Sequence, residues 1–452
     1  MTGRLGEAAL ARLPAWVARP SGARPLPRVV HLGIGAFHRA HQAPVFERLG
    51  WGVIGASLRS HAAREAMAPQ DFLYSLVVGE EVRVVGAVRE VLVDRDAMVA
   101  AMAAPAIEIV TLTVTEKGYL PDPERRGAAD LIAAALDLRR RRGLGPFTTI
   151  SCDNLPENGA RLRAAVLEAS APEAAEWIAA RGAFPLTMVD RIVPATEQAD
   201  IDALAARIGL VDRAMVKTEP FWQWVIEDRF AGARPDFPAV GVHLAADIAP
   251  WEKAKLRLLN GAHSAIAYLG GLAGIGFVHE VVAIPAFARY MKALWDEAAA
   301  TLDPPPGLDI AAYRRELMAR FANPGLQHRT RQIAMDGSQK LPQRLLGSIA
   351  DRIARDAGFE ALALAVAGWI RWQGGRTDAG ARFEVDDPLA DEIARRLAGA
   401  NTPADQVRAI LGMDAIFPPE LAENPVFSES VTRQLARLAA VGARAAIEAF
   451  GR

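Results

Sequence analysis

Short apolar runs rich in β-branched residues recur through the first third of the chain. They predict strands at residues 27–33, 52–58, 72–78, 82–93, 107–115 and 147–152. Gly79-Glu80-Glu81 separates the third run from the fourth and predicts a hairpin there. A helix rich in Ala, Leu and Arg is expected at 128–141. Because strands alternate with helical segments, we expect an α/β fold with a mostly parallel, doubly wound sheet.

After Pro250 the pattern changes to helical periodicity, and strand signals almost vanish. Segments with Ala- and Leu-rich faces predict helices at 251–269, 284–302, 310–321, 345–357, 361–372, 389–398, 403–411 and 428–450. We therefore predict two domains. Residues 1–249 form the domain that contains the sheet, and residues 250–452 form a mainly α-helical domain.

Composition narrows the class of protein. The chain has 452 residues and a formal net charge of −1, from 52 basic and 53 acidic residues. With 51% hydrophobic residues, general disorder is excluded, and the charge balance gives no field to attract nucleic acid or an anionic membrane. Apolar uncharged runs, such as 265–278, are shorter than the ~20 residues that span a bilayer. We expect a monomer or small homo-oligomer with a small-molecule partner.

The single cysteine, Cys152, excludes an internal disulfide framework and a metal site built from several cysteines. Proteins without disulfides are usual in reducing compartments, so we expect a cytoplasmic protein.

A glycine-rich loop follows the first predicted strand. Gly33-Ile34-Gly35 supplies the first two glycines of a dinucleotide-binding loop, whose backbone turns tightly beside the pyrophosphate. His38 stands where the third glycine belongs, so the motif is incomplete. The loop alone leaves two interpretations open, a Rossmann-type nucleotide site and an ordinary turn between a strand and a helix.

The second predicted strand ends in Ser57-Leu58-Arg59-Ser60, without an acidic residue. An acid at this point would accept a hydrogen bond from the ribose 2′-hydroxyl and favour NAD. Arg59 could instead meet a 2′-phosphate, stack on adenine or lie in solvent. The sequence therefore leaves the choice between NAD and NADP open.

Three polar residues in the second half are candidates for chemistry. Lys255, Asn260 and His263 are five and three residues apart, and at about 100° per residue on an α-helix they fall within an arc of roughly 140°. All three can thus face one cleft, and burial can lower the pKa of a lysine until it serves as a general base. The same residue types also serve solubility and capping, so the pattern alone is not specific.

Five blocks of residues together resemble the polyol-specific long-chain dehydrogenase/reductase family. They are residues 33–41 (GIGAFHRAH), 115–119 (TEKGY), 152–154 (CDN), 189–192 (VDRI) and 255–264 (KLRLLNGAHS). This family contains the mannitol 2-dehydrogenases and the fructuronate (mannonate) reductases. The resemblance implies a Rossmann-type domain followed by a mainly helical one, an active site in the cleft between them, and chemistry without zinc or another metal.

The resemblance also implies roles for individual residues. Lys255 would be the general base in alcohol oxidation and the proton donor in ketone reduction. Asn154 and Asn260 would hold the reacting oxygen, His263 would orient the substrate hydroxyl, and Asp190 would lie in the same pocket. Glu252 matches a glutamate on a proton route to solvent, although it could equally be an exposed partner of Lys255. The cofactor contacts implied by the blocks, together with Arg59, are Gly33, Gly35, Phe37, His38, Arg39, Thr115 and Glu116.

Residues 323–342 resemble the substrate-end segment of the family, and Lys340 matches its substrate lysine. The mannitol dehydrogenase branch has an Arg and a His where this chain has Gln332 and Met335, whereas the segment resembles the fructuronate reductase branch. Arg329 and Arg331, with Lys340, would then bind a carboxylate, although both arginines could instead face solvent. We predict D-fructuronate/D-mannonate interconversion. The alternatives are a mannitol or arabinitol 2-dehydrogenase and a non-catalytic nucleotide-binding protein.

Overall fold

The structure is a computed structural model that describes residues 3–20, 22–114, 116–119 and 127–448. The chain divides into two compact units, Met1–Ile248 and Ala249–Arg452, which we call the N-terminal unit and the C-terminal unit.

The N-terminal unit contains strands, short helices and 3₁₀ turns. Its strands are β1 (Gly3–Arg4), β2 (Pro27–Leu32), β3 (Gly52–Ala56), β4 (Tyr74–Val78), β5 (Glu81–Val85), β6 (Val88–Leu92), β7 (Ile109–Leu112), β8 (Thr148–Ser151), β9 (Thr187–Asp190), β10 (Leu210–Val211), β11 (Val216–Thr218), β12 (Gln223–Glu227) and β13 (His243–Ala245). Its α-helices are α1 (Ala36–Ala40), α2 (Ala43–Arg48), α3 (Ala62–Met67), α4 (Arg95–Met102), α5 (Ala128–Arg141), α6 (Asn158–Glu168), α7 (Pro172–Arg181) and α8 (Gln198–Ile208). The 3₁₀ turns are Glu7–Arg12, Ala68–Gln70, Glu116–Tyr119 and Pro238–Val240.

A five-stranded sheet in the order β6-β3-β2-β7-β8 forms the centre of this unit, and all of its strands are parallel. Both faces are covered. Val30 packs with α5 residues such as Leu136 in one core, whereas its neighbour Val29 packs with Phe46 and Trp224 in the other. Buried faces on both sides explain why the strands are continuous apolar runs. The predicted α/β fold with a doubly wound sheet is confirmed.

The predicted strand at 82–93 is wrong in one respect, because the structure divides it between two sheets. β5 pairs antiparallel with β4 and completes the hairpin expected around Gly79. After Gly86 and Ala87, β6 joins the central sheet beside β3. Alternating Val residues indicate a strand in either sheet, so the periodicity does not reveal the point at which the chain changes partner.

The C-terminal unit is helical, and no strand follows Ala245 in the part of the chain that the structure describes. Its α-helices are α9 (Ala249–Ala254), α10 (Gly261–Leu272), α11 (Val278–Val282), α12 (Pro285–Ala299), α13 (Ile310–Phe321), α14 (Thr330–Ala334), α15 (Gly337–Leu341), α16 (Gly347–Ile353), α17 (Glu360–Trp372), α18 (Ala390–Leu397), α19 (Pro403–Leu411), α20 (Pro419–Ala422) and α21 (Pro425–Glu448), the last interrupted at Gly442. Two π-helical segments, Lys255–Asn260 and Pro342–Leu346, and a 3₁₀ turn, Pro324–Leu326, complete it.

Helices α10 and α17 form the core of the C-terminal unit. Every residue of α10 is buried, and glycines permit the close approach of its neighbours. A Cβ at Gly368 would lie 2.8 Å from Leu269, and one at Gly271 would lie 2.5 Å from the ring of Trp372. A helix that is apolar on all sides must be surrounded by protein, so α10 provides a rigid base for the polar residues at its N-terminal end. None of the described helices combines the length and the apolar character needed to cross a membrane.

Candidate active site

The glycine loop of the N-terminal unit lies at the carboxyl ends of β2 and β7. Gly33 has a φ of +92°, and a Cβ at this position would lie 2.3 Å from the carbonyl oxygen of Thr113. Gly35 is the N-cap residue of α1. Only glycine combines this backbone conformation with so close an approach. The loop thus has the geometry that a Rossmann-type nucleotide site requires.

A cavity of about 1000 Å³ opens beside the loop. Its lining includes the loop, the residues that follow β3 and a segment before β11: Gly33, Ile34, Gly35, Ala36, Arg39, Ser57, Leu58, Arg59, Ser60, Ala62, Ala63, Ala66, Thr113, Val114, Gly118, Gly127, Ala128, Thr196, Ile201, Arg213 and Met215. This volume suits a cofactor-sized ligand. Four of the predicted cofactor contacts, Gly33, Gly35, Arg39 and Arg59, line this cavity. Thr115 and the side chain of Glu116 lie outside the described residues.

Three arginines and no carboxylate occur among the described residues of this lining. Arg39 donates to the carbonyl oxygens of Gly35, at 3.3 Å, and Ala214. Arg59 is exposed on the loop after β3. Arg213, which sequence reasoning did not identify, is also exposed, and its backbone N–H donates to Gln70. The lining is therefore suited to an anionic ligand such as a pyrophosphate.

Two histidines lie beneath the loop. The Nε2 of His31 is 3.0 Å from the carbonyl oxygen of Gly33 and 3.0 Å from the Oγ1 of Thr113, and its Nδ1 is 2.7 Å from the Oγ1 of Thr111. Because a carbonyl oxygen only accepts, these distances are satisfied when Nε2 carries the proton and Nδ1 accepts from Thr111. His38 stacks on His31 with ring centroids 3.5 Å apart. His31 thus connects β2, β7 and the glycine loop.

One residue of the predicted cofactor contacts lies beneath the loop. His38 is fully buried and is not among the residues that line the cavity, so its contact with the cofactor stays a prediction. Its imidazole supports the loop from below because it stacks on His31. Phe37 is half-buried and stacks on His41 at 5.0 Å; its contact with the cofactor stays a prediction. The sequence gave no signal for the role of His31, because a single histidine in an apolar strand does not indicate a function.

Burial makes His31 a source of pH-dependent stability. It lowers the pKa of His31 to about 3, against an ordinary value of about 6.5 in the unfolded chain. As the pH falls, the unfolded chain therefore binds a proton at a higher pH than the folded chain does. The free energy of unfolding consequently decreases between about pH 6.5 and 3. For this residue alone the loss at pH 5 is about 2 kcal/mol.

We expect His31→Gln to reduce the acid sensitivity of the N-terminal unit, because the amide can replace both hydrogen bonds and does not titrate. Denaturant unfolding of both proteins at pH 7 and pH 5 measures the effect. The drop in unfolding free energy between the two pH values should be smaller by about 2 kcal/mol in the variant. Equal drops in the two proteins would contradict the prediction.

Two further residues predicted for the active site lie near the carboxyl ends of β8 and β9. Asn154 is exposed, three residues after β8, and Asp190 is the buried last residue of β9. The side chain of Asn158 links their segments, because it donates to the carbonyl oxygens of Asp153, at 3.1 Å, and Thr187, at 2.9 Å. Asn158 thus fixes the residues that follow β8 relative to β9. The sequence did not reveal this positioning role.

The helix that carries Lys255 is not the uninterrupted α-helix predicted at 251–269. Its first turn is α-helical, but Lys255–Asn260 is π-helical before α10 begins at Gly261. The N–H of Gly261 accordingly donates to the carbonyl oxygen of Leu256, five residues earlier. In a π turn residues five apart lie above one another. Lys255 and Asn260 are therefore closer on one face than the roughly 140° expected for an α-helix.

Neighbouring helices hold this π turn in place. A Cβ at Gly261 would lie 2.8 Å from the carbonyl oxygen of Arg344, on the second π segment, Pro342–Leu346. The indole N–H of Trp295 donates to the carbonyl oxygen of Leu258 at 2.9 Å. Such partners satisfy polar groups that a π turn leaves without a regular α-helical bond. The conformation is thus a product of tertiary packing.

The polar side chains of this turn are buried, and part of their hydrogen-bonding capacity is unused. Lys255, Asn260 and His263 are 8%, 7% and 8% exposed. The Nδ2 of Asn260 and the Nε2 of His263 have no hydrogen-bond partner among the described residues. Buried polar atoms in native proteins are nearly always paired. These two atoms are therefore the ones that a polar ligand would satisfy.

His263 is held as a neutral ring between two aromatic neighbours. Its centroid lies 4.6 Å from that of Phe321 and 5.1 Å from that of His328. Burial is the main reason that the pKa of His263 lies well below its usual range, and the charges of Arg320 and Arg344 act in the same direction. A neutral imidazole can either donate to or accept from a substrate hydroxyl. Glu252, one turn before Lys255, is half-buried.

The substrate-end segment differs in part from expectation. Lys340 is half-buried, and its ammonium donates to the carbonyl oxygens of Ile333, at 3.3 Å, and Met335. Arg329 and Arg331 are exposed, and their guanidinium groups lie over phenylalanine rings, Phe277 and Phe383, at 5.0 and 5.5 Å. In this segment it is the ring of His328 that contacts His263. His328 was missed because it does not stand out among the other polar residues of the block, and Arg344 was missed because it lies beyond the block, which ends at residue 342.

The described residues contain no group of three or more His, Cys, Asp or Glu side chains that could hold a metal ion. A site without a metal stays a prediction.

Comparison with known proteins agrees with this geometry. Residues 27–239 match the mannitol dehydrogenase Rossmann domain, and residues 247–439 match the mannitol dehydrogenase C-terminal domain. The D-mannonate oxidoreductase of Escherichia coli is 40% identical over 96% of this chain and 98% of its own length. The mannitol 2-dehydrogenase of Aspergillus fumigatus is 38% identical over 92% of this chain and 91% of its own length. A solved ternary complex of Pseudomonas fluorescens mannitol 2-dehydrogenase with NAD and D-mannitol matches with a TM-score of 0.87 and 34% identity, over 98% of this chain and 99% of that one. The resemblance seen in the sequence is thereby confirmed, and the chain belongs to the mannitol dehydrogenase family.

Proposed function

We propose that the protein is an NAD-dependent dehydrogenase that interconverts a secondary alcohol and a ketone on a sugar acid or polyol. The observation that carries the proposal is the buried group of Lys255, Asn260 and His263 on one turn, with the Nδ2 of Asn260 and the Nε2 of His263 unpaired. A buried amine beside unpaired donors is the arrangement that removes a proton and stabilises the resulting oxyanion.

The N-terminal unit fits NAD on its own residues. A Cβ at Gly33 would fill the space against Thr113, Gly35 caps a helix N-terminus, and the cavity beside them is lined by Arg39, Arg59 and Arg213. When bound, the nicotinamide supplies the hydride acceptor or donor. The exposed Arg59 and Arg213, in a lining without a described carboxylate, leave NADP as a second candidate cofactor.

The residues of this chain supply proton transfer and orientation. In alcohol oxidation, Lys255 takes the hydroxyl proton as the oxygen develops negative charge, and it returns a proton in ketone reduction. The Nδ2 of Asn260 donates to that oxygen, and His263 holds a substrate hydroxyl through Nε2. We assign Asn154 to the same oxygen as Asn260, and Asp190 to the substrate pocket. We assign Glu252 to the route by which Lys255 exchanges its proton with solvent.

We further propose D-fructuronate/D-mannonate as the substrate pair. Gln332 and Met335 stand where the mannitol dehydrogenase branch has Arg and His, and Lys340 offers a cation at the substrate end. The D-mannonate oxidoreductase of E. coli, at 40% identity, and the mannitol 2-dehydrogenase of A. fumigatus, at 38%, are compatible with either substrate pair. Mannitol/fructose is the second candidate, because the solved complex that matches over 98% of this chain holds D-mannitol. We also propose a reducing, cytoplasmic setting, because the single cysteine of the sequence, Cys152, excludes an internal disulfide.

A panel of substrates and cofactors tests the proposal. D-mannonate, D-mannitol and D-arabinitol are each incubated with NAD⁺ and with NADP⁺, and the absorbance of the reduced cofactor is followed. We expect the largest kcat/KM with D-mannonate and NAD⁺. A larger value with D-mannitol would move the assignment to the second candidate. Binding of NADH without turnover of any compound would contradict the enzymatic function and favour a non-catalytic nucleotide-binding protein.

A further inference from the structure

Arg344 is a half-buried cation without an ion pair. Its side chain extends from the second π segment, and its Nη1 donates to the Oγ of Ser264 at 3.2 Å and, more weakly, to the carbonyl oxygen of Asn260 at 3.5 Å. No described carboxylate forms a salt bridge with it. Because buried charges in native proteins are normally paired, the free side of this guanidinium is a place where an anion would be stabilised.

A second cation lies one turn away. Lys340 and Arg344 are four residues apart, and like charges at this spacing repel each other. Burial first, and then the charge of Arg344, lowers the pKa of Lys340 to about 8. Asp336 pairs with Lys340 at 3.8 Å, and Asp387 accepts the N–H and hydroxyl of Ser338. Lys340 is therefore partly neutralised, whereas Arg344 forms no ion pair with a described carboxylate.

The position of Arg344 relates this charge to the proposed reacting centre. Ser264 and Asn260, its two hydrogen-bond partners, flank His263 and include the residue proposed to hold the reacting oxygen. The Nδ2 of Asn260 and the Nε2 of His263 are buried and have no described partner. Two unpaired polar atoms and an unpaired cation therefore occur together at the start of α10. A ligand that satisfies all three carries hydroxyl groups and an anionic end.

We propose that Arg344, together with Lys340, binds the carboxylate of a sugar-acid substrate and makes the enzyme discriminate against uncharged polyols. The inference rests on the proposed dehydrogenase function and adds a specificity-determining residue to it. A guanidinium can bind a carboxylate through two parallel hydrogen bonds, and Arg344 still has its Nε and Nη2 available for this. Arg329 and Arg331, the carboxylate ligands predicted from the sequence, are exposed and stack on phenylalanine rings.

Arg344→Gln and Arg344→Lys test the proposal through KM and kcat for D-mannonate and D-mannitol. Loss of a charged hydrogen-bond pair should raise KM for D-mannonate by about 10- to 150-fold in Arg344→Gln, whereas kcat should fall by less than about threefold. The values for D-mannitol should change by less than about threefold, and Arg344→Lys should restore part of the D-mannonate affinity. Where D-mannitol is not turned over, its inhibition constant replaces KM.

Two control variants separate the carboxylate role from a structural one. Ser264→Ala removes the hydrogen bond between α10 and Arg344 but keeps the charge, so the D-mannonate/D-mannitol ratio should not change. Arg352→Gln removes a cation from the adjacent helix, where the side chain donates to the carbonyl oxygen of Gly358, and should leave both substrates unaffected. Thermal unfolding of each variant shows that the fold is retained.

The results that would overturn the inference are distinct from failure of the proposed function. An equal loss with both substrates in Arg344→Gln would show that Arg344 only ties helices together. A selective loss of D-mannonate affinity in Arg329→Gln or Arg331→Gln, but not in Arg344→Gln, would place the carboxylate at the exposed arginines. Wild-type activity on polyols but on no sugar acid would refute the proposed substrate, and with it the carboxylate role.

Discussion

Lys255→Ala lowers kcat for alcohol oxidation by about a thousandfold and leaves the affinity for NADH within about threefold of wild type. General bases contribute about 10²- to 10⁴-fold to proton-transfer steps, and Lys255 is the buried amine of the π turn, beside the unpaired Nδ2 of Asn260. The cofactor cavity is lined by residues of the N-terminal unit, so the substitution does not alter it. Steady-state kinetics and NADH fluorescence titration measure the two quantities.

Lys253 provides the matched control for this substitution. It lies two residues earlier, is 41% exposed and pairs with Asp351 at 3.3 Å, so Lys253→Ala should keep kcat within about twofold of wild type, as surface substitutions usually do. Added small primary amines should restore part of the activity of Lys255→Ala, because they can take the hydroxyl proton in the vacated space. A Lys255→Ala enzyme with a tenth or more of wild-type kcat would rule out the lysine as general base.

Gly33→Ala weakens NADH binding by at least about thirtyfold, which corresponds to about 2 kcal/mol. The added Cβ would lie 2.3 Å from the carbonyl oxygen of Thr113 at a φ of +92°, so the loop must move away from β7. That movement also breaks the contact between the Gly33 carbonyl oxygen and His31. Fluorescence titration with NADH measures the dissociation constant, and denaturant unfolding measures the accompanying loss of stability.

Gly50→Ala separates backbone strain from lack of space. Gly50 has a φ of +71°, but nothing lies within 4 Å of an added Cβ. It should lose about 1 kcal/mol of stability from the left-handed backbone alone, with no change in NADH affinity. If Gly33→Ala bound NADH as tightly as Gly50→Ala does, the glycine loop would not be part of the cofactor site.

Local patterns in the sequence predicted much of the fold. The helices at 310–321 and 403–411 have the predicted bounds, because Asp309 and Thr402 cap their first turns and the apolar faces end where the helices end. The strands of the central sheet were identifiable because burial on both faces requires continuous apolar runs. These features depend on neighbours in sequence, which periodicity reports directly.

The features that were missed depend on neighbours in space. The π turn at Lys255–Asn260 requires the backbone of Arg344 against Gly261 and the indole of Trp295, which nothing in the local sequence encodes. Arg344 is of the same residue type as the exposed Arg329 and Arg331, and only its surroundings in the structure distinguish it. The lysine-asparagine-histidine group was thus singled out by residue type, spacing and the family resemblance, whereas the geometry that arranges it was not predicted.

The π turn also has a consequence for how this helix tolerates change. A π turn contains one residue more than the α-helical turn that would replace it. Loss of one residue between Lys255 and Asn260 would let an α-helical turn replace the π turn, with the helix before and after it in nearly the same orientation. Rewinding of the segment to an α-helix at unchanged length would instead rotate Lys255 by about 100° relative to His263. The direction of the amine therefore depends on the conformation of this turn, and the conformation depends on the neighbours that hold it.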